Sequence, residues 1–296
     1  MAENLPLGTA QIFDNRCCSL GEGPVWDSRS GKVHWVDILE KRVLWNRLTD
    51  NDSGEYPLPS HVGAVLPAED GTWRAFLTDG VYSVKEDGTD LALLAQFPHQ
   101  LPPDGGTDRM RANDATATPW GEALCGTMPY EPDRFPGTAA LYRFDGHSLT
   151  SVLTGVTISN GLGWTNDLST MFYVDTPTSR IDRFDVSRRG KLSHRRPFAT
   201  IDPQLGFPDG LAVDEDGYVW VALWGGSRVQ RIAPDGTMAG FVSVPTAQVT
   251  SCAFAGEDLK TLIVTTAGMG DDSPSAGVTY YFDAPSAGAA SFRVAS

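Results

Sequence analysis

The chain has no surplus of positive charge. Its 23 Lys and Arg face 37 Asp and Glu, for a formal net charge of −14 at pH 7. Phosphate backbones and anionic lipid surfaces are gripped by clustered Lys and Arg, so this balance argues against nucleic acid or a membrane as partner. It also repels an anionic product, so a site that makes one needs local positive charge. Cysteine is scarce: Cys17, Cys18, Cys125 and Cys252 include one adjacent pair and no CxxC. That excludes a disulfide framework and a zinc ribbon, and leaves reduced thiols used as small apolar residues. No apolar run is long enough to cross a bilayer. The stretch MAENLPLGTAQIF lacks a basic region followed by an apolar one, so no signal peptide is expected and the protein reads as cytoplasmic. Helical apolar spacing is missing from every long stretch. GxSxG, HExxH, Walker A and strand-to-helix GxGxxG motifs are also missing. The histidines His34, His61, His99, His147 and His194 lack the paired spacing of a zinc enzyme.

What the chain does have is a repeat. Six segments share one local pattern, with Glu22, Val62, Asn113, Asn160, Asp209 and Ser251 in the same register. Each begins a short apolar run. A turn rich in Asp, Gly and Asn follows, then a second apolar run such as VHWVD at 33–37 or VWVALW at 219–224. A third, alternating run comes next, as in VLWNRL at 43–48, and a weaker fourth ends most units. Short runs rich in β-branched and aromatic residues between turn formers are strands. A period of roughly 40–50 residues with about four strands is that of a propeller blade. The expected fold is therefore all-β, a six-bladed β-propeller with four antiparallel strands per blade. It spans residues 1–296 as one domain, with blades starting near 20, 61, 111, 158, 207 and 249. The last unit lacks a fourth strand of its own, so residues 10–18 are expected to supply it and close the ring. Two β-sandwiches are disfavoured, since no linker divides the chain and the repeat phase continues across its middle.

A ring brings equivalent positions to one axis. Glu22, Asn113, Asn160 and Asp209 should then face a common centre, and Val62 and Ser251 leave one side open. Two carboxylates and two amides form an all-oxygen set suited to a hard or borderline divalent ion: Ca, Zn, Mn, Mg or Fe(II). Asn and Asp beside Gly are also ordinary turn formers. That explains any one of these residues better than it explains four in one register. Arg111, two residues before Asn113, shares its side of the strand. Its fork of donors suits substrate oxygens, and equally a salt bridge. The Pro- and Gly-rich stretch 98–109 would cross the same face as a lid.

The pieces LGEGPVWD at 20–27, RANDATATPWGEALCGTM at 111–128, ISNGLGWTND at 158–167, YVDT at 173–176 and FPDGLAVDEDGYVWVALWGG at 207–226 resemble the gluconolactonase, senescence marker protein and regucalcin family. The resemblance implies a six-bladed propeller with one divalent metal in its channel. It implies Glu22, Asn160 and Asp209 as metal ligands, and Arg111, Asn113 and Glu131 as substrate-binding residues. One departure is Ala115, where the family often has Gly after the Asn-Asp pair. The implied activity is hydrolysis of a sugar lactone to its aldonic acid, with Asp209 as general base. The same channel could attack phosphotriesters, or hold calcium without catalysis.

Overall fold

Second-strand runs such as Lys32–Asp37, Trp73–Leu77 and Val219–Trp224 are buried at nearly every residue rather than at alternate ones. A strand of that kind must be covered on both faces. A ring of blades achieves this, because each sheet is sandwiched between two others. The computed structural model describes residues 5–50, 52–98 and 110–295. They form six antiparallel sheets, each built outward from an innermost strand. The innermost strands are Gly21–Asp27, Val62–Pro67, Met110–Ala117, Ser159–Trp164, Phe207–Val213 and Val249–Ala255, in blades one to six. Each lies against its two neighbours, and blade six returns to blade one. Among the described residues no helix is long and apolar enough to cross a membrane.

The core is a set of six interfaces between blades. Val36, Ile38 and Val43 of blade one pack on Val65, Trp73 and Leu77 of blade two. Phe76 and Val81 meet Cys125 and Phe144 across the next junction. Trp26, Val33 and Trp35 meet Ala255 and Ile263 where blades one and six join. Three cysteines are buried and only Cys17 is exposed, all as free thiols. Burial pushes the Cys18 thiol up to about 12. The expected use of cysteine as a small apolar residue therefore holds for Cys18, Cys125 and Cys252.

The ring is closed by the N-terminal segment, as anticipated. Gln11–Asp14 pairs antiparallel with Thr279–Asp283 and becomes the outer strand of blade six. The next residues latch that strand to blade one. The buried Asp14 carboxylate accepts from Arg16 Nη2 at 2.7 Å and from Asn46 Nδ2 at 2.9 Å. Arg16 also donates to the carbonyls of Gly54 at 2.8 Å and Trp45 at 3.0 Å.

Two features were not anticipated. Pro6–Thr9 adds a fifth strand to blade five, pairing parallel with Met238–Ser243. The segment after blade six forms no strand of its own sheet but crosses the end of the ring opposite the strand starts. Ala289 N donates to Val213 O at 2.9 Å, Val294 N to Pro67 O at 3.0 Å, and Ala295 N to Gly121 O at 2.7 Å. Arg293 pairs with Asp27. This strap ties blades one, two, three and five together and covers the lower end of the channel. The stretch expected to act as a lid falls almost entirely on residues 99–109, outside the described residues.

Burial alone would raise the Asp14 carboxyl, but hydrogen bonds from Arg16 and Asn46 and the Arg16 charge hold it below its ordinary value. Its stabilisation is thus present at neutral pH and is lost only as pH falls through that lowered value. Asp14→Ala strands two donors and is expected to remove about 2 kcal/mol from the unfolding free energy at neutral pH, measured by urea denaturation. An unchanged midpoint would show that the latch does not hold the ring.

Candidate active site

All six innermost strands slip out of register near their starts. The breaks fall between Glu22 and Val25, Val62 and Ala64, Ala112 and Ala115, Asn160 and Leu162, Pro208 and Leu211, and Val249 and Ser251. A β-bulge re-aims the side chains beside it. Six bulges at one height therefore turn six neighbouring positions toward the axis. The residue after the register is often glycine because the innermost strands nearly touch there. A Cβ on Gly161 would lie 2.6 Å from Asp209 O, and one on Gly210 would lie 2.0 Å from Ser251 Oγ.

Glu22, Arg111, Asn113, Asn160 and Asp209 are all buried at this height, at 4–7% exposure. Arg111 Nη1 donates to Asn113 Oδ1 at 2.8 Å. Asn113 Nδ2 donates to Asn160 Oδ1 at 2.8 Å and to Ser159 O at 3.0 Å. Glu22 Oε2 accepts from Gly23 N at 2.8 Å. Asp209 Oδ1 is buried with no hydrogen-bond partner.

A further acid belongs to the group. Asp114 is 8% exposed, and its charge raises the carboxyls of both Glu22 and Asp209. The sequence reading passed over it, though a signal was present: blades one, two, four and five have Gly at this step of the repeat, and blade three has an acid. Burial raises the carboxyls of Glu22, Asp114 and Asp209 above the ordinary range. The neighbouring acids push Glu22 and Asp209 further up, and Arg111 pulls both partly back. Burial also lowers Arg111, which is cationic all the same.

The rim is made by other residues. Glu131 is not part of the buried cluster. It sits exposed on the loop after Ala123–Pro129 and pairs with Arg134 at 3.5 Å. Tyr130 reaches back instead, with its hydroxyl 2.7 Å from His61 Nδ1. Burial and the charge of Arg111 lower the His61 pKa, so its ring is neutral at neutral pH. Asp37 and Asp175, at the ends of second strands, are structural. Asp37 accepts from the N–H groups of Ser19 and Leu20, and Asp175 from those of Thr157 and Ile158, all at 3.0–3.1 Å. They brace the entry into two innermost strands.

Below the acids lies a cavity of about 330 Å³, walled by Trp26, Trp164, Val213, Phe254 and Phe292 with Asp114 at its edge. Its lining is more apolar than polar, and the strap underlies it; the buried acids and amides lie above.

The buried donors fit a divalent cation. Three acids are crowded together, Arg111 offsets Glu22 and Asp209, and one carboxylate oxygen lacks any partner. Among the described residues no three of His, Cys, Asp and Glu converge as a metal cluster by themselves. A cation held here would need an amide oxygen beside the acids. Asn160 Oδ1 suits this role, since an amide oxygen has two lone pairs and Asn113 occupies one.

Residues 20–268 match the SMP-30/Gluconolactonase/LRE-like region. The chain belongs to this family. Relatives within it include the pentonolactonase XacC of Haloferax volcanii, 36% identical over 267 residues that cover 88% of this chain and 85% of the relative. The 6-deoxy-6-sulfogluconolactonase of Pseudomonas putida is 34% identical and covers 83% of this chain and 82% of its own length. The crystal structure of the calcium-binding protein regucalcin from Agrobacterium tumefaciens superposes with a TM-score of 0.90 at 26% identity, covering 99% of both chains. The family resemblance drawn from the sequence motifs is therefore correct.

An acid raised in the folded state stabilises the fold fully below its unfolded pKa, and that stabilisation is lost as pH rises through the folded value. Glu22, Asp114 and Asp209 all shift this way. His34, buried and lowered, works in the opposite direction. Metal-stripped wild type is expected to lose melting temperature relative to metal-stripped Glu22→Gln between about pH 5 and about pH 8, and an added divalent cation should reverse the loss. Parallel profiles for the two proteins would contradict the crowding of charge.

Proposed function

We propose that this chain hydrolyses a sugar lactone to its aldonic acid with a divalent cation bound at the upper mouth of the channel. The observation that carries this reading is the partnerless Asp209 Oδ1, set among Glu22, Asn160 and Arg111 on the axis of a lactonase-family propeller. Glu22, Asn160 and Asp209 would hold the cation. When bound, it supplies Lewis acidity toward the lactone carbonyl. Asp209 is the general base, because a ligand carboxylate keeps one oxygen free to take a proton from the attacking water. The acyl–oxygen bond of the ring then opens. The proton held by Asp209 passes to the departing ring oxygen, which becomes a hydroxyl.

Arg111 and Asn113 orient the substrate oxygens from within the cluster. Arg111 also supplies the positive charge that an anionic product needs in a chain of net charge −14. Glu131 is assigned to a sugar hydroxyl from the rim, where it is exposed and adjacent to Tyr130. Names of relatives point to both five-carbon and sulfonated six-carbon lactones. For this chain the substrate class stays at aldonolactones, including glucono-, xylono-, arabinono- and galactonolactone.

The test is acid release from these lactones by metal-stripped protein, with Mg, Ca, Mn, Zn and Fe(II) added back singly. Activity should depend on the added metal. Asp209→Asn should lower kcat by about a thousandfold while the protein stays folded. Wild-type turnover by Asp209→Asn at unchanged metal content would refute its role. Turnover of phosphotriesters alone would replace the lactone reading, and metal binding with no turnover would make the protein a binding propeller.

A further inference from the structure

Asn160 presents a problem that a carboxylate would not. Only the oxygen end of its amide can ligate a cation, and the nitrogen end would repel one. Something must fix which end faces the axis. The hydrogen bonds around it form a single directed chain. Arg111 Nη1 donates to Asn113 Oδ1, and Asn113 Nδ2 donates to Asn160 Oδ1, each at 2.8 Å. Asn160 Nδ2 donates to Thr176 Oγ1 at 2.8 Å, and Thr176 Oγ1 donates to Pro208 O at 2.9 Å.

The two ends of this chain fix its direction. A guanidinium has only donors, and a backbone carbonyl only accepts. Every group between them must therefore accept on the Arg111 side and donate on the Pro208 side. The Thr176 hydroxyl has one proton, which goes to Pro208. It can offer Asn160 only a lone pair, so it selects the Nδ2 end. Oδ1 is thereby turned away from Thr176 toward Asn113 and the axis.

We infer that Thr176 is a positioning residue that sets the amide orientation of Asn160 and thereby the affinity of the divalent-cation site. The inference rests on reading Asn160 as a metal ligand. The placement of Thr176 suits the role. It directly follows the second strand of blade four, Thr170–Asp175, and opens the short turn Thr176–Thr178. Its backbone N–H is fixed to Ile158 O at 3.1 Å. Its acceptor, Pro208, immediately precedes Asp209. One hydroxyl thus links the strand that carries Asn160 to the strand that carries Asp209.

Thr176→Val keeps the shape and removes the hydroxyl. Titration calorimetry of metal-stripped protein with Ca or Mn is expected to show roughly 10- to 100-fold weaker binding, the usual effect of losing a group that orients a ligand. Thr176→Ser keeps the hydroxyl and should recover affinity to within about threefold of wild type. Asn160→Asp supplies the control, because the two oxygens of a carboxylate are equivalent. In that background Thr176→Val should change affinity by less than about threefold, a coupling that general loosening of the site would not produce. Wild-type affinity in Thr176→Val would overturn the inference. So would an equal loss in both backgrounds, or a wild type that binds no divalent cation. The readout is binding, so a protein that shows this pattern but cleaves no lactone would refute the proposed reaction alone.

Discussion

Three carboxyl groups and one guanidinium are held out of water on the axis of a closed ring, and the structure is organised around tolerating them. Isolated buried charge is expensive, so such groups either neutralise or acquire a partner. Without a counter-ion, Glu22, Asp114 and Asp209 respond by holding protons more tightly. With a divalent cation present, the same crowding becomes attraction. Crowded acids that would attract such a cation are also costly to bury without one. The ring is what prevents the acids from moving apart. Each sits beside a bulge in a strand that is itself clamped between two others, so relief by local rearrangement would require blades to separate.

That makes closure of the ring part of the site. Blade six owns only three strands of its own sequence, and Gln11–Asp14 completes it. Asp14 and Arg16 then bind the completed blade to blade one, the blade that carries Glu22. At the other end the strap binds blades one, two, three and five through backbone hydrogen bonds and Arg293. The site lies at the upper mouth and the fastenings lie at the perimeter and the floor. The cluster and the strap thus lie at opposite ends of the innermost strands.

The repeat was legible because each blade must satisfy the same local physics. A bulge, a polar turn and a doubly covered strand recur six times, a glycine where strands nearly touch recurs in four blades, and each leaves a mark in the sequence. The N-terminal strand Gln11–Asp14 was legible for a related reason, as a count that did not balance. The strand Pro6–Thr9 and the strap were not. They are held mainly by backbone hydrogen bonds to distant blades, and main-chain pairing leaves little trace in side-chain pattern. Asp114 lay between. It breaks the glycine rule of the repeat, but a search for metal donors in one register looks past the adjacent position. Glu131 shows the converse limit. Its motif position is clear, yet the loop that carries it leaves the side chain exposed beside Arg134, outside the buried cluster.

The choice of two amides at this site follows from the charge count. Asp at positions 113 and 160 would add two more negative charges to an axis that already has three acids against one Arg, more than a single divalent cation could balance. Asn supplies a ligating or orienting oxygen at no net charge, but brings an ambiguity of orientation that Asp lacks. The directed chain from Arg111 to Pro208 removes that ambiguity. It begins at the guanidinium that offsets the acids and ends at the carbonyl beside Asp209. Each link is polarised in the same sense, so the Arg111 charge strengthens bonds several residues away. The cation at the head of the chain thus has two effects on the site: it lowers the electrostatic cost of the carboxylates, and it orders the amides into a single donor–acceptor direction.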